Sequence, residues 1–365
     1  MNRRNFIKMA GATLAGAALP QPLSALAKGE RPPEDRVEGG FVPLRRGRVL
    51  APSVVIWDRI EAPHTVVKRV LRDSVILLGE ERVVPGTGNA HNNLWYRTRG
   101  GWVHSAWVQP MEFHDRPVIY REAGPNGFWV EVIAPQAPAH KAPSLLAPKD
   151  YDYAYGGTYL VTDVTVDAGG SVWYNTYDEY TDKALGIAPT HHWVQAHYVR
   201  RIYESEFMAI RPWVADKRIR IDLRAQTATC FEGDTVVLTT KVATGTRFMQ
   251  LDGSLADFGT PLGEHQVMLK QPSRHMRATE AERGTDGWFD LPGVPWITFF
   301  TLTGIGFHGT YWHNDYGAVR SHGCVNVPIP VAKFIYRWTF PTAPYTDSFV
   351  RGDAPGMSST TIEVI

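Results

Sequence analysis

"HGTYWHNDYGAVRSHGCVN", residues 308–326, gathers three histidines and one of the chain's two cysteines. With 13 His in 365 residues, the stretch from His308 to His322 would hold fewer than one by composition alone. A thiol becomes a strong nucleophile when it is accessible and a neighbouring base or positive field favours the thiolate. Gly323, directly before Cys324, permits positive φ, so a sharp turn can expose the thiol and aim successive N–H groups at one point. The amides of His322, Gly323 and Cys324 are then candidates for an oxyanion hole, where one lost donor costs on the order of 3 kcal/mol. His308 ends a β-prone run sixteen residues before Cys324, a separation that a loop and returning strand close, and it is the candidate base. With no side chain on Gly309, a main-chain carbonyl is its natural orienting group. His322 would share a face with Cys324 only if both lay on one strand, so it is assigned to support the turn. Ser321 and Asn326 are placed to hold that turn through local hydrogen bonds.

Working outward, Pro330-Val331 opens a helix with Val331, Phe334, Ile335 and Trp338 on one face, stopped before Pro341. On the other side, "PWITFFTLTGIGFHG" reads as a long β run ending at His308. "FGTPLGEHQVML" offers turn chemistry at Thr260–Gly263 followed by a strand. "KRIRIDLRAQTATCFEGDTVVLTTKVATG" alternates at Ile219, Ile221 and Leu223, turns at Glu232-Gly233-Asp234 and returns through Val236, Leu238 and Val242. It reads as a hairpin with one buried face and Cys230 a small apolar residue on the return bend. A bridge between Cys230 and Cys324 is left open. A domain boundary is expected near Arg211–Asp216.

The stretch 308–326 resembles the L,D-transpeptidase signature of YkuD-type catalytic domains: a histidine, an intervening loop, then Ser/Thr-His-Gly-Cys-x-Asn/Arg. "IRIDLRAQTATCFEG", "VATGT" (242–246) and "TPLGEH" (260–265) follow the family's order, and the resemblance spans about 216–352. It implies a mainly β fold, with a β-sandwich catalytic domain and a short helix, and no cofactor or metal. Cys324 is then the nucleophile, His308 the proton acceptor and donor, and Ser321, His322, Gly323 and Asn326 the surrounding motif. Some members carry Ser after the first histidine; here it is Gly309, so only the main-chain carbonyl can serve. The implied reaction is acyl transfer on peptidoglycan stem peptides. Cys324 attacks the carbonyl of the third stem residue, terminal D-Ala leaves, and an amine resolves the thioester. Arg320 is expected either to pair with a substrate carboxylate or to be a solvated surface residue, and Tyr311 and Trp312 either line the cleft or pack.

Upstream, residues 48–111 show short alternations such as "SVVIW" and "DSVILLGE" and close on "LWYRTRGGWVHSAWVQPM". Trp95-Tyr96 is echoed by Trp173-Tyr174, and the segment Trp102–Val108 by Trp193–Val199. The repeat predicts two related β modules, and these endings resemble bacterial SH3-like barrels, at 47–112 and 113–205. In the second, "APQAPAHKAPSLLAPK" reads as an inserted Pro/Ala-rich loop. Residues 353–365 are expected to form a tail.

The chain starts "MNRRNFIKMAGATLAGAALPQPLSALAKGE". Paired Arg3-Arg4, a short apolar run and Ala25-Leu26-Ala27 read as a twin-arginine export signal cut after about Ala27, with residues 28–46 a Pro/Gly-rich tether. No stretch approaches the roughly eighteen apolar residues of a membrane span, so an exported, periplasmic or wall-side protein is expected. A net charge of +1 and 44% hydrophobic content give no sign of nucleic-acid binding or disorder. No protein partner is legible. Three rival readings stay open: a His/Cys zinc site, although the spacing matches no common pattern; an L,D-carboxypeptidase with water as acceptor; and a non-catalytic wall-binding protein.

Overall fold

The computed structural model describes residues 41–178, 190–278, 282–285, 287–352 and 358–365. The expected export signal and most of the tether lie outside them.

The first unit is one antiparallel sheet of β1 (Arg45–Val49), β2 (Ser53–Trp57), β3 (Val66–Leu71), β4 (Val75–Val83), β5 (Leu94–Thr98), β6 (Gly101–His104) and β7 (Val108–Met111). Its order is β3-β2-β6-β5-β4-β1-β7. The second contains β8 (Phe128–Val132), β9 (Gln136–His140), β10 (Lys149–Ala154), β11 (Thr158–Val166), β12 (Val172–Asp178), β13 (Thr190–Gln195) and β14 (Val199–Arg201). Its order, β10-β9-β13-β12-β11-β8-β14, repeats the first strand for strand.

The Trp-Tyr echo in the sequence is this repeat. Tyr96 pairs with Val103 and Tyr174 with Val194, and each second strand of the pair runs into a 3₁₀ turn, Ser105–Trp107 or Ala196–Tyr198. Val49, Ile56, Leu78, Tyr96, Val103 and Val108 come from six strands yet form one buried cluster. A sheet whose own strands share a core in this way must curl on itself. Within the expected insertion at 134–149, residues 136–140 form β9, and 141–148 are the loop that turns it back into β10. Ala137 and Ala139 fill the second core with small side chains, while Pro138 stands opposite Asp152.

The third unit holds β15 (Lys217–Asp222), β16 (Thr227–Glu232), β17 (Thr235–Lys241), β18 (Arg247–Met249), β19 (Leu255–Asp257), β20 (Gly263–Gln266), β21 (Leu269–Arg277), β22 (Asp290–Phe299), β23 (Gly306–Gly309), β24 (Val325–Val327), α1 (Ile329–Trp338), β25 (Val350–Arg351) and β26 (Thr361–Val364). Two five-stranded sheets, β17-β16-β15-β26-β20 and β24-β23-β22-β21-β25, face one core. That core joins Ile219, Ile221, Cys230 and Ile362 of the first sheet to Trp296, Phe307, Val325 and Val327 of the second, with Phe334, Ile335 and Trp338 of α1. Each such large side chain removed from water contributes about 1.5–3 kcal/mol. The chain is mainly β, as its alternations predict.

Three expectations change. The segment from Lys217 is a three-stranded meander rather than one hairpin, because a turn at Leu223–Gln226 intervenes, with Gln226 at φ 50°. Cys230 therefore sits mid-strand between Ile219 and Leu238, fully buried, while Val236 is exposed. The long run ending at His308 breaks at Thr301–Gly304 into β22 and β23. The supposed tail supplies β26, which lies between β15 and β20 and buries Ile362 and Val364.

Helix α1 follows its sequence signals, with Pro330 in the first turn and Val331, Phe334, Ile335 and Trp338 buried. Two buried lysines answer the carbonyls at and beyond its C-terminal end. Lys217 Nζ donates to Trp338 O at 2.8 Å, and Lys270 Nζ donates to Thr339 O at 2.9 Å and Pro341 O at 2.7 Å.

Candidate active site

Strand β23 pairs in parallel with β24, setting Phe307 opposite Val325, His308 opposite Asn326 and Gly309 opposite Val327. Side chains two apart along a strand share a face, so the register places Cys324, just ahead of β24, on the face of His308 and Asn326. Gly323 has φ 104°, which a side chain rarely adopts, and a Cβ there would come 2.9 Å from Ile305 Cδ1. The turn is tied down on both sides. Ser321 Oγ donates to Cys324 O, and Thr260 Oγ1 donates to Gly323 O at 2.7 Å while accepting from Gly245 N at 3.0 Å. Thr246 N donates to Ser321 O and Ser321 N to Thr244 O. The stretches 242–246 and 260–265 are thus the walls of the Cys324 turn. Both stretches stand out in the sequence, but nothing local there marks Thr260 for this contact.

Cys324 is half-buried, and its Sγ lies 3.6 Å from Gly304 O. Burial pushes the thiol up to about 11, against smaller opposing effects of the Gly306 N–H and the Arg274 guanidinium. His308 is fully buried; burial brings it down to about 4, with the Gly309 carbonyl acting in the other direction. Its Nδ1 lies 3.2 Å from Gly309 O. At neutral pH the imidazole is therefore uncharged and donates from Nδ1, leaving Nε2 as its acceptor. The resting pair is thiol and neutral imidazole, not thiolate and imidazolium. Among the described residues no hydrogen-bond acceptor is assigned to the backbone N–H groups of His322, Gly323 or Cys324.

The remaining residues named from sequence divide sharply. His322 is packed among aromatic rings, stacked on Phe248 at 4.1 Å with Phe258 at 4.5 Å and Phe289 at 5.0 Å. Burial lowers its pKa. Trp312 lies beside His308, ring to ring at 5.7 Å. Tyr311 is a core residue whose hydroxyl donates to Pro292 O at 2.7 Å. Arg320 is partly buried rather than a fully solvated surface residue. Its guanidinium pairs with buried Asp315 and lies 5.0 Å from the Trp107 ring of the first unit.

His313 joins Asp315 to the site. Asp315 N donates to its Nδ1 at 3.3 Å, and the Asn326 amide lies 3.0 Å from its Nε2. A neutral imidazole has one acceptor nitrogen, so Nε2 carries the proton and the Asn326 group completing the bond is its carbonyl oxygen. Burial brings His313 to about 3, Arg320 and His308 adding to the effect and Asp315 opposing it. The three histidines thus occupy three environments, and no group of three or more His, Cys, Asp or Glu arranged to hold a metal occurs among the described residues.

The loop from Thr310 to Arg320 is gripped by the first unit. Asn314 N donates to Ala106 O at 2.9 Å, and Asn314 Nδ2 to Tyr96 OH at 3.0 Å and Ser105 O at 3.2 Å. Asp315 Oδ1 faces His91 Nε2 at 3.0 Å and Asn92 Nδ2 at 3.3 Å. Arg48 Nη2 donates to Tyr311 O at 2.8 Å. None of these partners was legible in the sequence, where more than 200 positions separate them.

Thiol and imidazole thus lie on one sheet face beside a positive-φ turn. Residues 216–346 match the model of the YkuD family, the L,D-transpeptidase catalytic domain. Similar solved structures include the catalytic domain of the E. faecium L,D-transpeptidase (23% identity, 41% of this chain and 98% of that one, TM-score 0.29). A second is the L,D-transpeptidase of Xylanimonas cellulosilytica (20% identity, 43% and 63%, TM-score 0.28). A third is an L,D-transpeptidase from Mycobacterium smegmatis (16%, 57% and 99%, TM-score 0.30). No curated protein matches the sequence.

Proposed function

We propose that the chain is an exported peptidoglycan L,D-transpeptidase that crosslinks stem peptides through a thioester on Cys324. The observation that carries this reading is the β23–β24 register, which sets the neutral His308 and the Cys324 turn on one face within a family-matched domain.

In the first step His308 Nε2 takes the thiol proton as sulfur bonds to the carbonyl of the third stem residue. The amides of His322, Gly323 and Cys324 receive the developing oxyanion. Collapse breaks the peptide bond to terminal D-Ala, and His308 returns the proton to the departing amine. In the second step an amine of another stem attacks the thioester, His308 accepts its proton, and that proton returns to sulfur as the new amide forms. Burial of both groups keeps them neutral at rest, so charge separates only with substrate in place. Arg274, whose field favours the thiolate, is the cation better placed than Arg320 to meet a substrate carboxylate. The two repeated N-terminal units are read as SH3-like modules that hold the enzyme at the wall, and the Arg3-Arg4 segment as its twin-arginine export signal. No helix among the described residues is long and apolar enough to cross a membrane.

The test is incubation with a disaccharide tetrapeptide, reading enzyme and product masses. Crosslinked dimer from the wild type and none from Cys324→Ala or His308→Ala supports the proposal. Free tripeptide alone assigns hydrolysis instead, and turnover undiminished in Cys324→Ala refutes the thioester.

A further inference from the structure

We infer that the first seven-stranded unit is a working part of the active site, with Asp315 the positioning residue through which it fixes the loop between His308 and Cys324. This rests on the catalytic roles proposed above for those two residues.

Five observations converge on the loop. The unit supplies the Ser105 and Ala106 carbonyls and the Tyr96 hydroxyl to Asn314. It supplies His91 and Asn92 to one oxygen of Asp315, while Arg320, directly before the Ser321 turn, takes the other. The Trp107 ring covers that guanidinium. Gly317 lies so close to the unit that an added Cβ would be 3.1 Å from His91 O. From Asp315 the connection runs inward through its N–H to His313 and from His313 to Asn326, which stands opposite His308.

Asp315 is completely buried and touches groups from both units. A buried carboxylate requires such partners, and they hold it in one place. A loop of this length across a β-strand connection has many conformations when its ends alone are fixed. The grip of the first unit selects one of them, and misplacement by about 1 Å can cost a hundredfold in rate. The 310–320 loop is also tied to its own unit, Gly317 N donating to Val242 O and Arg320 N to Thr244 O; of the two repeated units, which share strand order and 3₁₀ turn, the first supplies its described hydrogen bonds.

The experiment uses the full chain carrying His91→Ala together with Tyr96→Phe, neither residue being in contact with Cys324 or His308. Two readouts are taken. The first is kcat and KM on a disaccharide tetrapeptide. The second is iodoacetamide labelling of each cysteine, located by peptide mass. Cys230, fully buried, reports unfolding, and half-buried Cys324 reports the turn. Expected are a fall in kcat of about tenfold with KM within about twofold, faster labelling of Cys324, and Cys230 protected as in the wild type. Asp315→Asn alone should reproduce the kcat loss, and adding His91→Ala to it should cause little more.

Unchanged kcat overturns the inference, as does Cys324 labelling at the wild-type rate. Labelling of Cys230 in step with Cys324 also overturns it, since the contacts would then hold the fold rather than the loop. If Tyr96→Phe compromises folding, His91→Ala alone is read by the same criteria. Wild-type turnover that Cys324→Ala leaves intact would defeat the proposed function instead, and the labelling comparison still decides whether the first unit holds the turn.

Discussion

His308 Nδ1 is held 3.2 Å from the carbonyl oxygen of Gly309, the residue next to it in the chain. That contact fixes the tautomer with Nε2 as acceptor, and burial keeps the ring neutral down to about pH 4. The rate of acylation by a carbapenem, measured after a rapid pH jump, should therefore be nearly flat through neutral pH and fall as pH drops through about 4. His308→Gln should lower the rate by about 10²–10⁴ and abolish that acidic limb. An acidic limb that persists in the variant would assign the titration to another group.

The buried histidines also predict how stability responds to pH, with two opposite signs. His308 and His313 have folded values depressed to about 4 and about 3. As pH falls below the ordinary histidine value of about 6.5 the unfolded chain takes up protons that the folded chain refuses, at about 1.4 kcal/mol per pK unit. Stability should fall steadily from about pH 6.5 towards 3.

His275 behaves in reverse. Burial alone would lower it, but Asp178 of the second unit, 3.0 Å from Nδ1, and Asp290 overcome this and raise it to about 9. Its contribution is complete below about 6.5 and disappears as pH rises through about 9. Thermal melts across this range should show the alkaline loss removed in His275→Gln and the acid loss retained. An unchanged alkaline limb would count against the pairing.

How much of this was readable beforehand depended on whether the signal was local. The α1 face, the Gly323-Cys324 turn and the Trp95-Tyr96 repeat are governed by spacing and backbone preference, and all are visible in the sequence. The surroundings of Arg320 are not legible, because the Trp107 ring over it belongs to a unit more than 200 residues away and its partner Asp315 is held by His91 and Asn92 of that same unit. Asp315 itself gave only a weak hint as the one acidic residue in the stretch 308–326. Residues 134–149 misled through composition, since prolines suggest a loop even where Ala137 and Ala139 fill a core. Cys230 misled because polar Thr227 and Thr229 alternate with Ala228 and Cys230 on a strand whose turn lacks glycine.

Gly309 is confined from two sides. An added Cβ would sit 2.9 Å from Ile329 Cγ1, 3.0 Å from Ile329 Cα and 3.0 Å from Pro295 Cγ. Gly309→Ser should destabilise by about 1–3 kcal/mol through overpacking and slow acylation by moving His308. Adding Ile329→Ala removes the Cγ1 contact and should restore part of the activity, while the contact with its backbone Cα remains. Denaturant titration of the single and double variants checks the coupling, and strictly additive losses would show that the clash is elsewhere.

Ser321 offers the sharpest test of whether the Cys324 turn must be rigid. Its hydroxyl donates to the carbonyl of Cys324, across the positive-φ Gly323, so one bond closes the turn on the side opposite Thr260. Ser321→Ala removes that donor and leaves a carbonyl without its partner, at a cost of about 1–3 kcal/mol. The expected result is slower carbapenem acylation, by about tenfold, with the enzyme still folded at room temperature. Ser321→Thr keeps the hydroxyl and should recover most of the rate. Stopped-flow acylation alongside thermal melts separates the two effects. Equal rates in the Ala and Thr variants would mean that the turn is held by Thr260 and Gly323 alone, and that the Ser321 hydroxyl contributes to stability but not to placing the thiol.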